Sequence, residues 1–330
     1  FSKTRTMWLE ILCGLVIYKL FRGFFSDHDD ILDVEASDSE AIFLVAKRLK
    51  SIYSGNVYFG LRIPDADTGS QQDIDMVAVT KGEVVLISVK NFSGFASIDA
   101  DGTWVCTLDG KHKVERHPDP VEETKQKLGV LESYLEQRGV IISKGYLSFR
   151  VVLPNLEFRP LYPNCFPPEV VTHDQLKELK PEWWCMFYGW IKGAFSGRRK
   201  DAQESIHQKV NFVLSTAPMW DRLELKGDKC ILGEFLEFKG NTKDTDSLRE
   251  IKRSKVKKLL IQKFSMFGLA PSKVQVVYSA RDYRSEGSSW DAEWMELTVR
   301  SSTEVVFQLK ASRKTCKFKL SKVVSLSLGA

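Results

Sequence analysis

The sequence lacks the cysteine pattern of a zinc ribbon or a disulfide scaffold. Its six cysteines are scattered, with no Cys-x-x-Cys pair and no histidine at ligand spacing beside them. They stand at Cys13, Cys106, Cys165, Cys185, Cys230 and Cys316. Unpaired cysteines of this kind are typical of a reduced, intracellular protein. We therefore expect the main body of the chain to be intracellular.

Glycine-rich nucleotide-binding motifs and the serine motif of the α/β-hydrolases are also missing. No G-x-x-x-x-G-K-[ST], G-x-G-x-x-G or G-x-S-x-G occurs. The five histidines stand at no metal or triad spacing, at His28, His112, His117, His173 and His207. These absences argue against a phosphate-binding loop, a serine hydrolase and a histidine-based metal centre.

An uncharged run of membrane-spanning length is absent from residues 8–25, WLEILCGLVIYKLFRGFF. The section between Glu10 and Lys19 is shorter than the roughly 20 residues that cross a bilayer. Glu10, Lys19 and Arg22 lie near the ends, where long side chains can reach the headgroups. We expect membrane attachment through residues 8–25, with a helix packed on the protein's own surface as the alternative. No small-residue cleavage site follows, and Met7 is the expected initiator.

The composition is that of a globular protein. The 330 residues are 43% hydrophobic and 28% charged, and this length allows two domains. A net charge of +5 permits a polyanionic partner without requiring one. The patterning divides the chain into an apolar membrane-proximal segment (1–25), an acidic linker (26–37), an α/β domain (38–156), a helical connector (157–217) and a β-rich C-terminal domain (218–330).

The α/β domain follows from its hydrophobic periodicity. The pattern predicts a helix after Ser39, then strands, a hairpin and a second helix that begins at Pro120 and ends at Gly139. A strand over residues 146–155 ends the unit. This order of a helix, strands with a meander, a helix and a strand predicts one compact α/β domain.

Charged residues interrupt two apolar strands in residues 71–91, QQDIDMVAVTKGEVVLISVKN. Asp73 and Asp75 share one strand face, as do Ser88 and Lys90 on the next strand. A tight turn between the strands would set residue 73 opposite 90 and residue 75 opposite 88. We therefore expect one polar patch at the end of an otherwise apolar sheet.

This patch has the groups that phosphodiester hydrolysis needs. Magnesium prefers a few carboxylate oxygens plus waters, and a nearby lysine can orient water or stabilise charge on a phosphoryl oxygen. Asp73 and Asp75 are the candidate metal ligands, and Glu40 in the first helix is a further carboxylate. The structural alternative is an Asp73–Lys90 ion pair that holds the strand ends in register.

The segments QDIDMVAV and VVLISVKNFSG resemble the motifs of the nuclease-related domain (NERD) within the PD-(D/E)XK nuclease superfamily. Trp104 and HPDPVEETKQKL resemble further family elements in the expected order, and the two ends of the chain resemble plant-type members. The resemblance implies a restriction-endonuclease-like αβββαβ core and Mg²⁺-dependent cleavage of DNA or RNA. It also implies that Asp75 is a metal ligand, that Lys90 orients water or stabilises charge, and that Glu40 is an auxiliary acid.

Ser88 departs from that family pattern, which has glutamate at this position. A hydroxyl is a weak, neutral ligand for a hard dication, so we expect weak or degraded activity, with Asp73 as partial compensation. Glu123 likewise replaces the family's glutamine in the second helix. The alternative function is a non-catalytic nucleic-acid-binding or membrane-tethered interaction scaffold.

The C-terminal part alternates like a set of strands, interrupted by a basic segment. Residues 247–264, SLREIKRSKVKKLLIQKF, carry an apolar set that fits one helical stripe: Ile251, Val256, Leu259 and Leu260. We expect a basic helix there. Its charged face is either merely solvated or contacts nucleic-acid phosphate or anionic lipid.

Overall fold

The structure is a computed structural model. It describes residues 38–51, 55–80, 82–108, 114–143, 145–162, 166–178, 199–227, 229–263, 272–281, 294–310 and 312–329. The predictions for residues 1–37 lie outside these ranges. Within them, no helix is long and apolar enough to cross a membrane.

A five-stranded mixed sheet forms the centre of the first part of the chain. Its strand order is β1-β2-β3-β7-β9, antiparallel from β1 to β3 and parallel from β3 to β9. The strands are β1 (Asn56–Pro64), β2 (Gln71–Val79), β3 (Val84–Val89), β7 (Leu147–Leu153) and β9 (Val170–Thr172). All six residues of β3 are buried, as expected for a central strand covered on both faces.

Two helices cover this sheet, one on each side. Helix α1 (residues 38–51) buries Ile42, Val45 and Leu49 in one cluster with Met76 and Ile87. Helix α2 (Pro120–Gln137) buries Leu131 and Leu135 in another cluster with Val77 and Leu86. These are the helical stripes expected from the sequence, so each helix covers one of the two apolar faces of β2 and β3.

Smaller elements complete the first part. A second sheet has four strands in the order β6-β5-β4-β8; the first three lie between β3 and α2 in the chain, and β8 follows β7. Its strands are β4 (Gly94–Ile98), β5 (Trp104–Thr107), β6 (Val114–His117) and β8 (Phe158–Pro160). Helices α3 (His173–Glu178) and α4 (Arg199–Ser215) follow, and Val210 and Leu214 of α4 join the α2 side of the core.

An eight-stranded antiparallel sheet fills the C-terminal part, in the order β14-β13-β12-β17-β10-β11-β15-β16. Its strands are β10 (Asp221–Leu225), β11 (Cys230–Lys239), β12 (Val256–Lys263), β13 (Lys273–Ala280), β14 (Trp294–Arg300), β15 (Glu304–Leu309), β16 (Thr315–Lys319) and β17 (Val323–Ser327). Helix α5 (Thr242–Leu248) and the 3₁₀ turn Leu320–Lys322 are its short helical elements among the described residues. The expectation of an α/β fold with a β-rich C-terminal region is confirmed.

The prediction of a basic helix over residues 247–264 is wrong. Only its first two residues end a helix, α5, and Val256 to Lys263 form strand β12. The pairing of β12 with β13 shifts register between Val256 and Lys258, so Val256 and Leu259 both point into the core. Because the bulge adds one residue, two core side chains fall three positions apart, which is the spacing of a helical face.

The two large sheets are joined through the free edge of β1. Leu61 forms an isolated antiparallel bridge with Met219, Arg62 N–H donates to Pro218 O at 2.8 Å, and Trp220 N–H donates to Gly60 O at 2.8 Å. The chain then continues directly into β10. Helix α1 also packs against Leu232 of β11, so the C-terminal sheet lies beside the strands that carry the candidate site.

Candidate site at the end of the central sheet

The register of β2 and β3 is the one predicted from the sequence. Met76 pairs with Ile87 and Val79 pairs with Val84, and Thr80 N–H donates to Glu83 O at 2.9 Å to close the turn. Continuing this register sets residue 75 opposite residue 88. The tight turn thus brings the predicted acidic and serine positions together.

Asp75 is anchored by the neighbouring strand. One of its carboxylate oxygens, Oδ2, accepts a hydrogen bond from Val89 N–H at 3.0 Å and one from Ser88 Oγ at 3.3 Å. Its side chain is only 13% exposed. Ser88, itself buried, therefore orients the carboxylate rather than adding a charge beside it.

Asp73 is anchored from the C-terminal part of the chain. Its Oδ1 accepts a hydrogen bond from the indole Nε1 of Trp220 at 2.9 Å. The guanidinium of Arg62 lies over the Trp220 ring, 4.0 Å from its centroid, and also pairs with Glu234. The indole is thus fixed in place, and it fixes the orientation of the Asp73 carboxylate.

The remaining oxygens of the two carboxylates face one ammonium group. Lys310 Nζ lies 3.8 Å from Asp73 Oδ2 and 3.6 Å from Asp75 Oδ1. We call the point between these two oxygens the cation position. Lys310 and Trp220 could not be predicted from the sequence, since both come from distant segments that carry no local motif.

A kink in the sheet lies at Asp75. Gly60, between the paired positions Phe59–Met76 and Leu61–Ile74, has a left-handed φ of 69°. The side of the sheet to which the paired side chains point changes at Gly60. Phe59 and Met76 lie on the α1 side of the sheet, whereas Leu61 and Ile74 lie on the α2 side. The simple alternation assumed from the sequence therefore fails here, although both carboxylates still reach Lys310.

Lys90 has a different partner from the one considered in the sequence analysis. Its Nζ donates to Glu123 Oε2 at 2.7 Å, and Lys127 Nζ donates to Glu123 Oε1 at 2.7 Å. Burial alone would raise the pKa of Glu123, but the hydrogen bonds from Lys127 and Lys90 outweigh it and lower the pKa. Helix α2 thereby holds Lys90 beside the strand ends through an ionised carboxylate.

Replacing Glu123 with Gln is expected to reduce stability at pH 7 by on the order of 1 kcal/mol, since its partial exposure weakens both ion pairs. The lowered pKa stabilises the fold above the ordinary value of 4.5, and this contribution is lost as pH falls through the lowered pKa. Urea unfolding between pH 7 and pH 3 tests this. Glu122→Gln, at a more exposed neighbouring carboxylate, is the matched control. Equal pH dependence in the two variants would contradict the assignment.

Glu40 lies in the first turn of α1, which packs against both sheets. Its charge acts on Cys230 of β11: burial, with smaller contributions from Glu224 and Glu40, raises the pKa of this thiol to about 12. Among the described residues, no group of three or more His, Cys, Asp and Glu side chains could hold a metal ion. Glu40 therefore does not complete a three-carboxylate cluster with Asp73 and Asp75, and its role as an auxiliary acid stays a prediction.

The donor set at the cation position suits a weakly held divalent cation. Two carboxylate oxygens with separate anchors converge on one positive charge. Mg²⁺ often binds one or two carboxylates and keeps several waters, so two protein oxygens are compatible with it. The position lacks the third charge that a glutamate at residue 88 would supply.

Comparison with protein families finds one match, which covers part of this chain. Residues 37–154 match the model of the nuclease-related domain, NERD. This range includes α1, the strands β1 to β3 and β7, and helix α2. No curated protein and no solved structure matches the chain.

Proposed function

We propose that the nuclease-related domain at residues 37–154 hydrolyses phosphodiester bonds of DNA or RNA weakly and with the help of Mg²⁺. The observation that supports the proposal is the convergence of two carboxylate oxygens of this domain, Asp73 Oδ2 and Asp75 Oδ1, on one positive charge, the Lys310 ammonium. Lys90 lies at the end of the neighbouring strand. The same strand ends thus combine an acidic pair with a lysine.

Each residue has a distinct task in this proposal. Asp75 is the main metal ligand and Asp73 the second, because each has one anchored oxygen and one that faces the cation position. Mg²⁺, when bound, supplies Lewis-acid catalysis and lowers the pKa of water. Lys90, held by Glu123, orients the attacking water or stabilises negative charge on the phosphoryl oxygens. Glu40 is an auxiliary acid by family resemblance alone, since it does not join the Asp73–Asp75 pair.

Ser88 accounts for the weakness of the activity. Its hydroxyl donates to Asp75 Oδ2, so it supports the ligand but brings no negative charge. The cation position then has two carboxylates where the family pattern supplies a further one. Lower charge at the site means lower affinity for the cation at a given concentration.

Alanine at Asp75 or at Lys90 is expected to abolish cleavage. The assay uses plasmid and single-stranded substrates with Mg²⁺ or Mn²⁺, and the full chain at equal concentrations. Loss of one charged group from such a site costs on the order of 10²–10³ in rate, which brings a weak activity down to background. Asp67→Ala, at an exposed carboxylate in the loop before β2, is the control that should leave cleavage unchanged.

The outcome separates an intrinsic activity from a contaminant. Cleavage that persists in Asp75→Ala, or that disappears equally in Asp67→Ala, would contradict the assignment. Circular dichroism of each variant confirms that the fold is retained. Absence of cleavage in the wild-type protein under both metals would reject the hydrolytic function.

A non-catalytic function is favoured by two observations. Lys310 already holds the cation position, and Ser88 stands where the family has a glutamate. A site in this state would bind nucleic acid without cutting it, or would act as a scaffold tethered to a membrane through residues 8–25. Filter binding of labelled DNA and RNA at low salt, with no cleavage, supports the nucleic-acid form of this alternative. Absence of both binding and cleavage rejects that form.

A further inference from the structure

Lys310 is placed at the cation position by the C-terminal sheet. It follows directly after β15, whose last residue, Leu309, is buried in the core. Its backbone N–H donates to Leu232 O at 3.1 Å, which ties it to β11. Leu232 in turn packs in the cluster of α1. The start of the Lys310 side chain is therefore fixed relative to β2, and its ammonium reaches the two carboxylates.

We propose that Lys310 is a built-in competitor of the divalent cation at Asp73 and Asp75. The ammonium neutralises the acidic pair when the two sheets are docked as in this structure, and a divalent cation binds only when the ammonium leaves. This inference rests on the proposed function, since it concerns the same pair of carboxylates. It adds a role for the C-terminal part of the chain, which lies outside the nuclease-related domain.

Simultaneous occupancy is disfavoured by distance and charge. Mg²⁺ binds oxygen at about 2.1 Å, so a cation shared by both carboxylates would lie between them. Lys310 Nζ lies within 3.6 and 3.8 Å of the same two oxygens. The two positive groups would then be a few ångströms apart in a site where the lysine side chain is only 22% exposed. Their repulsion makes binding exclusive.

The carboxylates keep their orientation when the ammonium leaves. Asp75 Oδ2 is held by Val89 N–H, and Asp73 Oδ1 is held by the Trp220 indole. Neither hydrogen bond involves Lys310. A side chain with several rotatable bonds can swing away, so the cation position can open without any change in the strands that form it.

The sharpest test is Mn²⁺ binding, measured by isothermal titration calorimetry and by electron paramagnetic resonance. The full chain is compared in five forms: wild type, Lys310→Met, Lys310→Arg, Asp75→Asn and the double variant Lys310→Met with Asp75→Asn. Methionine keeps the length of the side chain and removes the charge. Lys310→Met is expected to bind Mn²⁺ about tenfold more tightly than wild type, equivalent to about 1.4 kcal/mol.

The other variants are controls for the effect of the Lys310 charge on Mn²⁺ binding. Lys310→Arg should bind Mn²⁺ like wild type, and the double variant should lose the gain. Lys317→Met removes an equivalent charge from the neighbouring strand β16, where the side chain is exposed, and should have no effect. Thermal unfolding of each variant shows whether the fold is retained.

The measurements of Mn²⁺ binding and of cleavage can contradict the competition by Lys310 and the hydrolytic function separately. A gain in Mn²⁺ affinity that depends on Asp75, with no cleavage in any form, supports the competition and rejects the hydrolytic function. Asp75-dependent cleavage in wild type, with equal Mn²⁺ affinity in wild type and Lys310→Met, rejects the competition and keeps the function. Absence of Mn²⁺ binding in every form overturns both.

Discussion

Replacing Ser88 with Glu is expected to raise Mg²⁺-dependent cleavage by at least about tenfold, equivalent to about 1.4 kcal/mol of transition-state stabilisation. The serine Oγ lies 3.3 Å from Asp75 Oδ2 and the residue is buried. A glutamate there adds a carboxylate beside Asp75 and so raises the negative charge around the acidic pair. Hard dications bind more tightly as the charge of their oxygen ligands increases.

The same change should reduce stability when no metal is present. A second carboxylate beside Asp75 in a buried site repels the first and must fit into space that a serine fills. Mg²⁺ should offset this repulsion, so the melting temperature of Ser88→Glu should rise with Mg²⁺ more than that of wild type. Thermal unfolding with and without Mg²⁺ therefore reports on the site without depending on activity.

Ser88→Gln is the matched control for this prediction. Glutamine has the size of glutamate but no charge, so it should reproduce the steric cost without the gain in cleavage or in Mg²⁺ response. The double variant Ser88→Glu with Asp75→Ala should lose the gain in cleavage. If Ser88→Glu and Ser88→Gln behave alike, charge at residue 88 is not what limits the site.

Replacing Asp221 with Ala is expected to destabilise the protein by about 3 kcal/mol or more. Its side chain is fully buried at the start of β10, next to the connection between the two sheets. Oδ2 accepts hydrogen bonds from Phe235 N–H at 2.7 Å and from the Arg253 guanidinium at 2.6 Å, and Oδ1 accepts one from Gly329 N–H at 2.6 Å. Alanine leaves these donors without their acceptor.

The size of the effect comes mainly from the two backbone groups. Arg253 is 43% exposed and can turn to water, so its share of the loss is small. Phe235 belongs to β11 and Gly329 follows β17, and a buried amide without an acceptor costs about 1–3 kcal/mol.

Urea unfolding followed by tryptophan fluorescence and circular dichroism measures this loss. Glu237→Ala is the matched control, because Glu237 is an exposed carboxylate on β11 whose only ion pair is with exposed Lys239 among the described residues. The control should change stability little. An Asp221→Ala protein as stable as the control would contradict the role of this hydrogen-bonded carboxylate.

Local patterns explain what the sequence could predict. The apolar alternation of β2 and β3, with a short turn between them, fixed their register and so placed Asp75 opposite Ser88. Helix α2 was equally clear, because Pro120 begins it and Gly139, with a φ of 76°, follows its end. Each of these features depends on residues that are close in the chain.

Features that depend on distant residues were not predictable. Lys310 and Trp220 reach Asp73 only because the C-terminal sheet docks on the edge of β1, and neither has a motif around it. The strand register predicts Asp73 as the cross-strand neighbour of Lys90, whereas in the structure α2 presents Glu123 to Lys90 instead. The bulge in β12 gives the apolar residues of this strand the spacing of a helix. The bulge depends on the pairing of β12 with β13 and not on the local sequence, so it was not predictable either.

Asp73 and Asp75 are proposed to form a divalent-cation position in a nuclease-type site. The most direct measurement is an anomalous difference map from crystals of the Lys310→Met variant equilibrated with Mn²⁺. We expect a peak within about 2.5 Å of both Asp73 Oδ2 and Asp75 Oδ1. A map with no peak there, or with Mn²⁺ bound only elsewhere on the molecule, would contradict it.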